Sequence, residues 1–112
     1  MNLVTAVVKP HKLDDVIKAL TDIEVAGMTI TEVRGHGRQK GHTEIYRGAE
    51  YTELLLPKVR IEVLADDADT DRICTAITDA ARTGEIGDGK VWFTPIGGVT
   101  RIRTGEKDHD AI

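Results

Sequence analysis

The sequence predicts an α+β domain made of two similar halves, each with a strand, a helix and a further strand. Three observations predict this class: runs rich in β-branched residues, two segments with apolar residues at helical spacing, and a long segment between the second and third strand runs that follows neither pattern. Loops above about 12–15 residues are uncommon in compact domains and are usually functional or disordered. We therefore expect the loop at about residues 37–55 to be exposed and to be recognised by another molecule.

The first half begins with a strand at residues 2–9, where β-branched residues are frequent. Pro10 suits the first turn of a helix, because its missing N–H would have no partner there. The helix that follows has one apolar face with the spacing i, i+3, i+4 and i+7, which consists of Leu13, Val16, Ile17 and Leu20. Gly27 then breaks the chain before a second strand at residues 28–34.

The second half repeats this order. Residues 58–65 alternate between apolar and other side chains, as expected for a third strand with Val59, Ile61 and Val63 on one face. The candidate N-caps of the second helix are Asp66, Asp67 and Asp69. Its apolar stripe consists of Ile73, Ile77, Ala80 and Ala81. Gly84 is a natural stop for this helix.

A fourth strand begins at residues 91–93, and residues 99–103 predict a short fifth strand. The order βαββαβ with right-handed crossovers predicts a ferredoxin-like sandwich, in which both helices cover one face of an antiparallel sheet. The other face is left without a helix, yet we expect it to carry the apolar side chains of Val4, Ala6 and Leu64. An uncovered and partly apolar face favours self-association, so the sequence predicts an oligomer.

The composition indicates one cytosolic domain covering residues 1–112. A formal net charge of −4 argues against a general nucleic-acid binder, although basic residues at predicted loop mouths and strand ends could serve a smaller anionic ligand. Cys74 is the only cysteine, which excludes an intrachain disulfide and favours a reducing compartment. We find neither a signal peptide nor an apolar run near the ~20 residues needed to cross a bilayer.

Three glycine-rich or basic segments are candidates for binding an anion, at residues 35–41, 84–90 and 101–103. Closely spaced glycines let backbone N–H groups approach a phosphate without interference from Cβ atoms. Lys90 adds a cation to the second segment, and the two arginines of the third would point to the same side of an extended strand. Taken alone, each segment is better explained as an ordinary turn, and no Ser or Thr follows the lysine as a Walker motif requires.

The inventory of catalytic groups is poor, and we predict no catalytic residue. Ser is absent, the four histidines show no metal-ligand spacing, and the paired acids at helix starts are explained by capping. The few aromatic residues do not make a stacking platform for RNA. One alternative stays open, a phosphotransfer or phosphate-hydrolysing enzyme on this fold, for which Asp88 is the candidate nucleophile or base near Lys90.

Two motifs resemble those of a known family. Residues 46–51 (YRGAEY) look like the modification motif of the PII nitrogen-regulatory signal-transduction proteins, and residues 83–93 (TGEIGDGKVWF) look like that family's second signature. The likeness runs from residues 8–10 (VKP) through 37–41 (GRQKG) to 99–106 (VTRIRTGE), and so covers essentially the whole chain.

The resemblance implies a regulatory binding protein with at most a weak ATPase side activity. It implies a homotrimer that binds ATP or ADP in the clefts between subunits, and 2-oxoglutarate together with Mg²⁺ and ATP. The residues around adenine and ribose would be Val7, Thr29, Gly35, Gly37, Val63 and Leu64. The residues at the phosphates would be Arg38, Gly87, Asp88, Gly89, Lys90 and, from the neighbouring subunit, Arg101 and Arg103.

The resemblance also implies an effector site and a role for the loop. The residues holding 2-oxoglutarate would be Gln39, Lys40, Gly41, Lys58 and Gly87. Gln39 would ligate Mg²⁺, and Lys58 would pair with the distal carboxylate. Tyr51 would accept a uridylyl or adenylyl group from a nucleotidyltransferase. Arg47 would insert into an ammonium channel, so that a cytoplasmic protein would become reversibly membrane-associated. Other nitrogen-metabolism regulators would be further partners. Nucleic acid is not expected as a partner.

Some positions qualify the resemblance. Glu85 stands where many relatives carry a basic residue, and His36 replaces a common aromatic residue. The Trp92-Phe93 pair and the runs at 38–42 and 103–106 are most similar to actinobacterial members. A second alternative is a PII-like sensor of another small ligand.

Overall fold

The computed structural model describes residues 1–37 and 55–112 and, between them, the strands at 44–46 and 49–51. In chain order the elements are β1 (Asn2–Val8), a 3-10 turn (Pro10–Lys12), α1 (Leu13–Asp22), β2 (Thr29–Gly35), β3 (Glu44–Tyr46), β4 (Ala49–Tyr51), β5 (Leu56–Ala65), α2 (Asp67–Ala81), β6 (Gly89–Pro95) and a second 3-10 turn (Asp108–Ala111). This order confirms the predicted βαββαβ arrangement. The loop was expected to lack structure of its own, but the hairpin β3–β4 lies within it.

The four longer strands form one antiparallel sheet in the order β2-β5-β1-β6. The register pairs Val4 with Val63 on one side and with Phe93 on the other. Side chains that lie opposite one another in an antiparallel pair share a face of the sheet. The register therefore fixes which residues meet the two helices, and it confirms the ferredoxin-like fold.

The hydrophobic core lies between the sheet and its two helices. The sheet contributes alternate residues of its two central strands, namely Val4, Ala6, Val8, Val59, Ile61, Val63 and Ala65. The helices contribute Val16, Leu20, Ile73, Ile77 and Ala81. Since each large aliphatic side chain stabilises the fold by roughly 1.5–3 kcal/mol when fully buried, this layer supplies most of the driving force for folding.

The opposite face of the sheet, the open face, is partly apolar, but the prediction of its residues was wrong in two cases. Val4 and Ala6 were expected there, yet both point towards the helices and are fully buried. β1 has apolar residues at most positions, so alternation along the sequence could not decide which side faces the helices. Leu64 lies on the open face as predicted and is 40 % exposed. Trp92 lies on the same face, two strands away on β6, and is 46 % exposed.

The start of α2 differs from a side-chain cap. Asp66 occupies the N-cap position, but its carboxylate makes no capping hydrogen bond. Instead, its Oδ2 lies 2.7 Å from Nδ1 of His109, and its carbonyl oxygen accepts hydrogen bonds from the Asp69 N–H and the Thr70 hydroxyl. The C-terminal tail is thereby held against the first turn of α2.

The predicted fifth strand at residues 99–103 is absent from the described part of the chain. A single bridge joins Thr100 to Lys107, and the Arg101 N–H donates to the Glu106 carbonyl at 2.8 Å. The Gly105 N–H donates back to the Arg101 carbonyl, so the segment turns too early to extend. Residues 99–108 form a tight loop instead of a strand, which we call the arginine loop.

Candidate functional site

Residues 83–89, which run from the connection after α2 to the first residue of β6, include three left-handed glycines and are called the glycine loop. Gly84, Gly87 and Gly89 have φ of 86°, 94° and 100°. Side chains other than glycine rarely adopt this conformation without strain. At Gly89 the space is closed as well, because a Cβ atom there would lie 1.8 Å from the Val7 carbonyl oxygen.

Lys58, at the start of β5, contacts this loop directly. Its Nζ donates a hydrogen bond to the Gly87 carbonyl oxygen at 2.8 Å in a partly buried position. Its aliphatic stem passes β2 so closely that a Cβ atom at Gly35 would lie 3.2 Å from Lys58 Cγ. Three residues predicted for the site, Gly35, Lys58 and Gly87, are therefore brought together at one end of the sheet.

Asp88 lies inside the glycine loop rather than pointing out of it. Its carboxylate accepts hydrogen bonds from the Thr83 hydroxyl, the Thr83 N–H and the Gly84 N–H, the last two at 2.8 and 2.9 Å. Lys9 Nζ lies 3.1 Å from the same carboxylate. The Thr83 hydroxyl, followed by the backbone N–H groups and Lys9, holds the pKa of Asp88 well below its usual range. A carboxylate so placed is neither a base nor a free nucleophile at neutral pH.

The residues predicted around adenine do not form one group within the chain. Val7 lies opposite Arg60 on β5 and opposite Lys90 on β6. Leu64 lies four residues beyond Arg60 on β5, a distance of roughly 13 Å at about 3.3 Å per residue. Thr29 pairs with Glu62 near the Leu64 end. Val7 and Leu64 thus occupy opposite ends of the open face.

Val63 is a correction to the predicted site. Its side chain faces the helices and is 2 % exposed, so it packs in the core and does not line a cleft. β5 alternates with a period of two, and for this reason Val63 and Leu64 cannot present their side chains to the same ligand.

A cavity of about 780 Å³ lies at the Leu64 end of the sheet. Its walls include Gly27 and Met28 from the connection after α1, Thr29 from β2, Leu64 from β5, and His109 and Ile112 from the tail. No pattern in the sequence indicates these two tail residues, because only the folded tail brings them to this wall.

The two arginines of the arginine loop do not lie side by side on a strand as predicted. Arg101 Nη1 donates to Glu106 Oε1 at 3.1 Å, while Ile102 beside it is 98 % exposed. Arg103 is exposed as well. The loop therefore presents an apolar and a cationic side chain away from the body of its own chain.

Several predicted site residues lie outside the described residues, namely Arg38, Gln39, Lys40, Gly41 and Arg47. Tyr51 ends β4, where it pairs with Glu44. Within residues 1–37 and 55–112, His, Cys, Asp and Glu form no group of three that could hold a metal ion. Among the helices in these ranges, none is long and apolar enough to cross a membrane.

The fold and the glycine loop define a small α+β protein with a loop of left-handed glycines that is closed by hydrogen bonds to Asp88. The profile of the family described as "Nitrogen regulatory protein P-II" matches residues 1–106, and the chain belongs to this family. It is 55 % identical to the nitrogen regulatory protein P-II of Azospirillum brasilense, 54 % to that of Pasteurella multocida and 53 % to the nitrogen regulatory protein P-II 1 of Escherichia coli. Each match covers 112 residues, the whole of both chains.

These findings confirm the predicted PII signal-transduction role in nitrogen regulation. They also confirm the prediction that the chain is a regulatory protein rather than an enzyme. The phosphotransfer alternative is not favoured, in agreement with the occupied carboxylate of Asp88. The relatives named above come from other bacterial groups, so they give no support to the actinobacterial likeness.

Proposed function

We propose that this PII protein senses ATP or ADP together with 2-oxoglutarate, in sites shared between the subunits of a homotrimer. The observation that carries the proposal is the meeting of Gly35, Lys58 and the glycine loop at one end of the sheet. Left-handed glycines orient successive backbone N–H groups towards an anion, and a nearby ammonium group adds charge. A nucleotide polyphosphate is the ligand that this arrangement fits best.

A second copy is needed to complete the nucleotide site. Val7 lies next to the glycine loop, but Leu64 lies roughly 13 Å away along the strand, too far to enclose the same adenine ring from one chain. The arginine loop also points away from its own chain and would bring Arg101 and Arg103 to a neighbour's phosphates. Apolar side chains on the open face, Trp92 and Leu64 among them, would be covered in the trimer.

The effector 2-oxoglutarate would bind beside the phosphates. Lys58 would release the Gly87 carbonyl and pair with the distal carboxylate, while Gln39, Lys40, Gly41 and Gly87 would surround the rest of the ligand. Mg²⁺ needs hard oxygen ligands and keeps near-octahedral coordination. Gln39 offers one neutral oxygen, so the remaining ligands would come from ATP and from 2-oxoglutarate itself.

The loop would transmit the ligand state to other proteins. It carries Tyr51, which would accept a uridylyl or adenylyl group from a nucleotidyltransferase, and Arg47, which would enter an ammonium channel. The protein would then be cytoplasmic and reversibly associated with the membrane, with other nitrogen-metabolism regulators as further partners. The absence of a membrane-spanning helix from the described ranges is compatible with this proposal.

Calorimetry with purified protein tests this function. We expect ADP and ATP to bind competitively, and 2-oxoglutarate to bind only when Mg²⁺ and ATP are both present. Binding of the two ligands must then be reciprocal, since 2-oxoglutarate tightens ATP by the same factor as ATP tightens 2-oxoglutarate. Tight binding of 2-oxoglutarate to protein without nucleotide would refute the mechanism and favour a sensor of another small ligand.

A further inference from the structure

Asp88 has no capacity left for a ligand. A carboxylate offers about four acceptor positions. Four donors occupy them: the Thr83 N–H and the Gly84 N–H on Oδ2, and the Thr83 hydroxyl and the Lys9 ammonium on Oδ1. The Asp88 side chain is 22 % exposed, and that of Lys9 is 16 % exposed. A residue in the middle of a predicted phosphate loop is thus turned inward.

These contacts connect the two ends of the glycine loop. Thr83 lies two residues after the end of α2, and Asp88 directly precedes β6, so their hydrogen bonds close the loop on itself. Lys9 follows β1, and its Nζ also lies 3.3 Å from the Thr83 hydroxyl oxygen. The closed loop is thereby joined to the sheet by a cation that offsets the charge of Asp88.

We propose that Asp88 is a positioning residue, which together with Thr83 and Lys9 fixes the glycine loop in its binding conformation before any phosphate arrives. The Asp88 side chain itself does not contact the ligand. This inference rests on the proposed function for the identity of the ligand, but it concerns the conformation of the free protein. It replaces the earlier prediction that Asp88 contacts the nucleotide.

Fixing the loop in advance should strengthen binding, because ordering a flexible segment on binding costs free energy. Gly87 and Gly89, the chain neighbours of Asp88, both have left-handed conformations. The hydrogen bonds of the Asp88 side chain therefore hold these two conformations. The effect should be limited to ligands with phosphates, since the backbone N–H groups of this loop are the groups that would contact phosphate. An uncharged nucleoside would gain little from the ordered loop.

The first test compares ADP with adenosine in the full-length protein. Asp88→Asn and Thr83→Val should weaken ADP binding by about tenfold or more, the scale seen when a partner that orients a ligand-binding group is removed. Adenosine binding should not change. Thr83→Ser keeps the hydroxyl and should restore ADP binding, and Asp22→Asn, which removes an exposed charge on α1, serves as the control. An equal loss of ADP and adenosine, or no loss of ADP, would overturn the proposal.

The second test needs no nucleotide. Amide hydrogen exchange in the free protein should become faster at Gly87 and Gly89 in Asp88→Asn, while exchange in β1 and β5 stays at the wild-type rate. Unchanged exchange in the loop would overturn the proposal. Failure of the wild-type protein to bind ADP would instead refute the proposed function, and the exchange experiment would still decide the role of Asp88.

Discussion

Lys58 donates a hydrogen bond to the carbonyl oxygen of Gly87 at 2.8 Å, although the two residues lie on different elements and 29 positions apart. The side chain proposed for the effector carboxylate is thus already bonded to the loop proposed for the phosphates. A ligand that binds the Lys58 ammonium group breaks this hydrogen bond. The Gly87 carbonyl oxygen must then accept a hydrogen bond from another donor. If both proposed ligands bind as argued above, this hydrogen bond gives each of them a physical route to alter the affinity of the other.

Replacing Lys58 should weaken the binding of 2-oxoglutarate more than the binding of ADP. Lys58→Met removes the cation for the distal carboxylate, so we expect 2-oxoglutarate to bind at least tenfold more weakly, the scale of a lost charged hydrogen bond of about 1.5–3 kcal/mol. ADP should lose less, because the glycine loop keeps the contacts of Asp88. Lys58→Arg is the matched control that retains the charge. Calorimetry with each ligand measures the difference, and equal losses for both ligands would contradict the separate roles.

Gly89 should be the least replaceable of the glycines in the described ranges. Gly89→Ala places a Cβ atom 1.8 Å from the Val7 carbonyl oxygen at a φ of 100°, so backbone must shift. We expect a loss of unfolding free energy above the roughly 1–3 kcal/mol typical of a strained backbone position. Gly84→Ala has the positive φ without the clash and should cost about 1–2 kcal/mol. Gly97→Ala, with open space around it, should be close to neutral. Urea denaturation of the three variants checks this order.

Much of the fold could be predicted from the sequence because its signals are local. Helical spacing of residues such as Leu13 and Leu20 and the alternation of residues 58–65 predict elements that the structure contains. The side of β1 that faces the helices could not be predicted, since Val4 and Val7 are equally apolar and only the helices distinguish them. The contact of His109 with Asp66 is likewise invisible in the sequence, because it joins positions 43 residues apart.

The sequence names candidate site residues, but it does not show how they are arranged. The motifs supplied Gly35, Lys58 and Gly87, which the structure brings together. Motifs do not show where a side chain points, and so Val63 was placed in a cleft and Asp88 on a ligand. The burial of Val63 arises from tertiary contacts with the helices, and the inward position of the Asp88 side chain arises from its contacts with Lys9 and Thr83.

The low pKa of Asp88 predicts a particular dependence of stability on pH. A carboxyl group whose pKa is lowered by folding stabilises the protein above the pKa of the unfolded chain, about 3.9, and this contribution is lost as the pH falls through the lower folded pKa. Asp88→Asn should therefore be less stable than the wild type at neutral pH. The difference should shrink below about pH 4. Urea denaturation between pH 2 and 7 measures it, and a difference that stays constant down to pH 2 would contradict the assignment.

The loop is expected to carry one site of covalent modification. Tyr51→Phe should abolish nucleotidylation by the nucleotidyltransferase of the host and leave ADP affinity unchanged. Tyr46→Phe, which changes the other tyrosine of the hairpin β3–β4, should still be modified and is the matched control. Mass spectrometry of the intact protein and of its peptides locates the added group. Modification found on Tyr46 would overturn the assignment.

Assembly can be followed through Trp92, the only tryptophan of the chain. Its side chain lies on the open face and is 46 % exposed in the single chain, so burial against other copies would shift its fluorescence to shorter wavelength. Ile102 is 98 % exposed at the tip of the arginine loop. This side chain contributes little to the stability of a monomer, but it would contact a neighbouring subunit in a trimer. We expect light scattering to give the mass of three chains for the wild type.

Ile102→Glu should weaken this assembly, because it places a charge where an apolar contact between copies is expected. Leu55→Glu is the control, since Leu55 is also exposed but lies outside both the glycine loop and the arginine loop. On dilution, Ile102→Glu should dissociate at a higher concentration than the wild type, and its Trp92 emission should move to longer wavelength at the same point. A wild-type protein that scatters as a monomer at micromolar concentration would refute the trimer. Since the arginines of one copy are proposed to reach the phosphates of the next, the dissociated variant should also lose affinity for ADP, which links assembly to the ligand site.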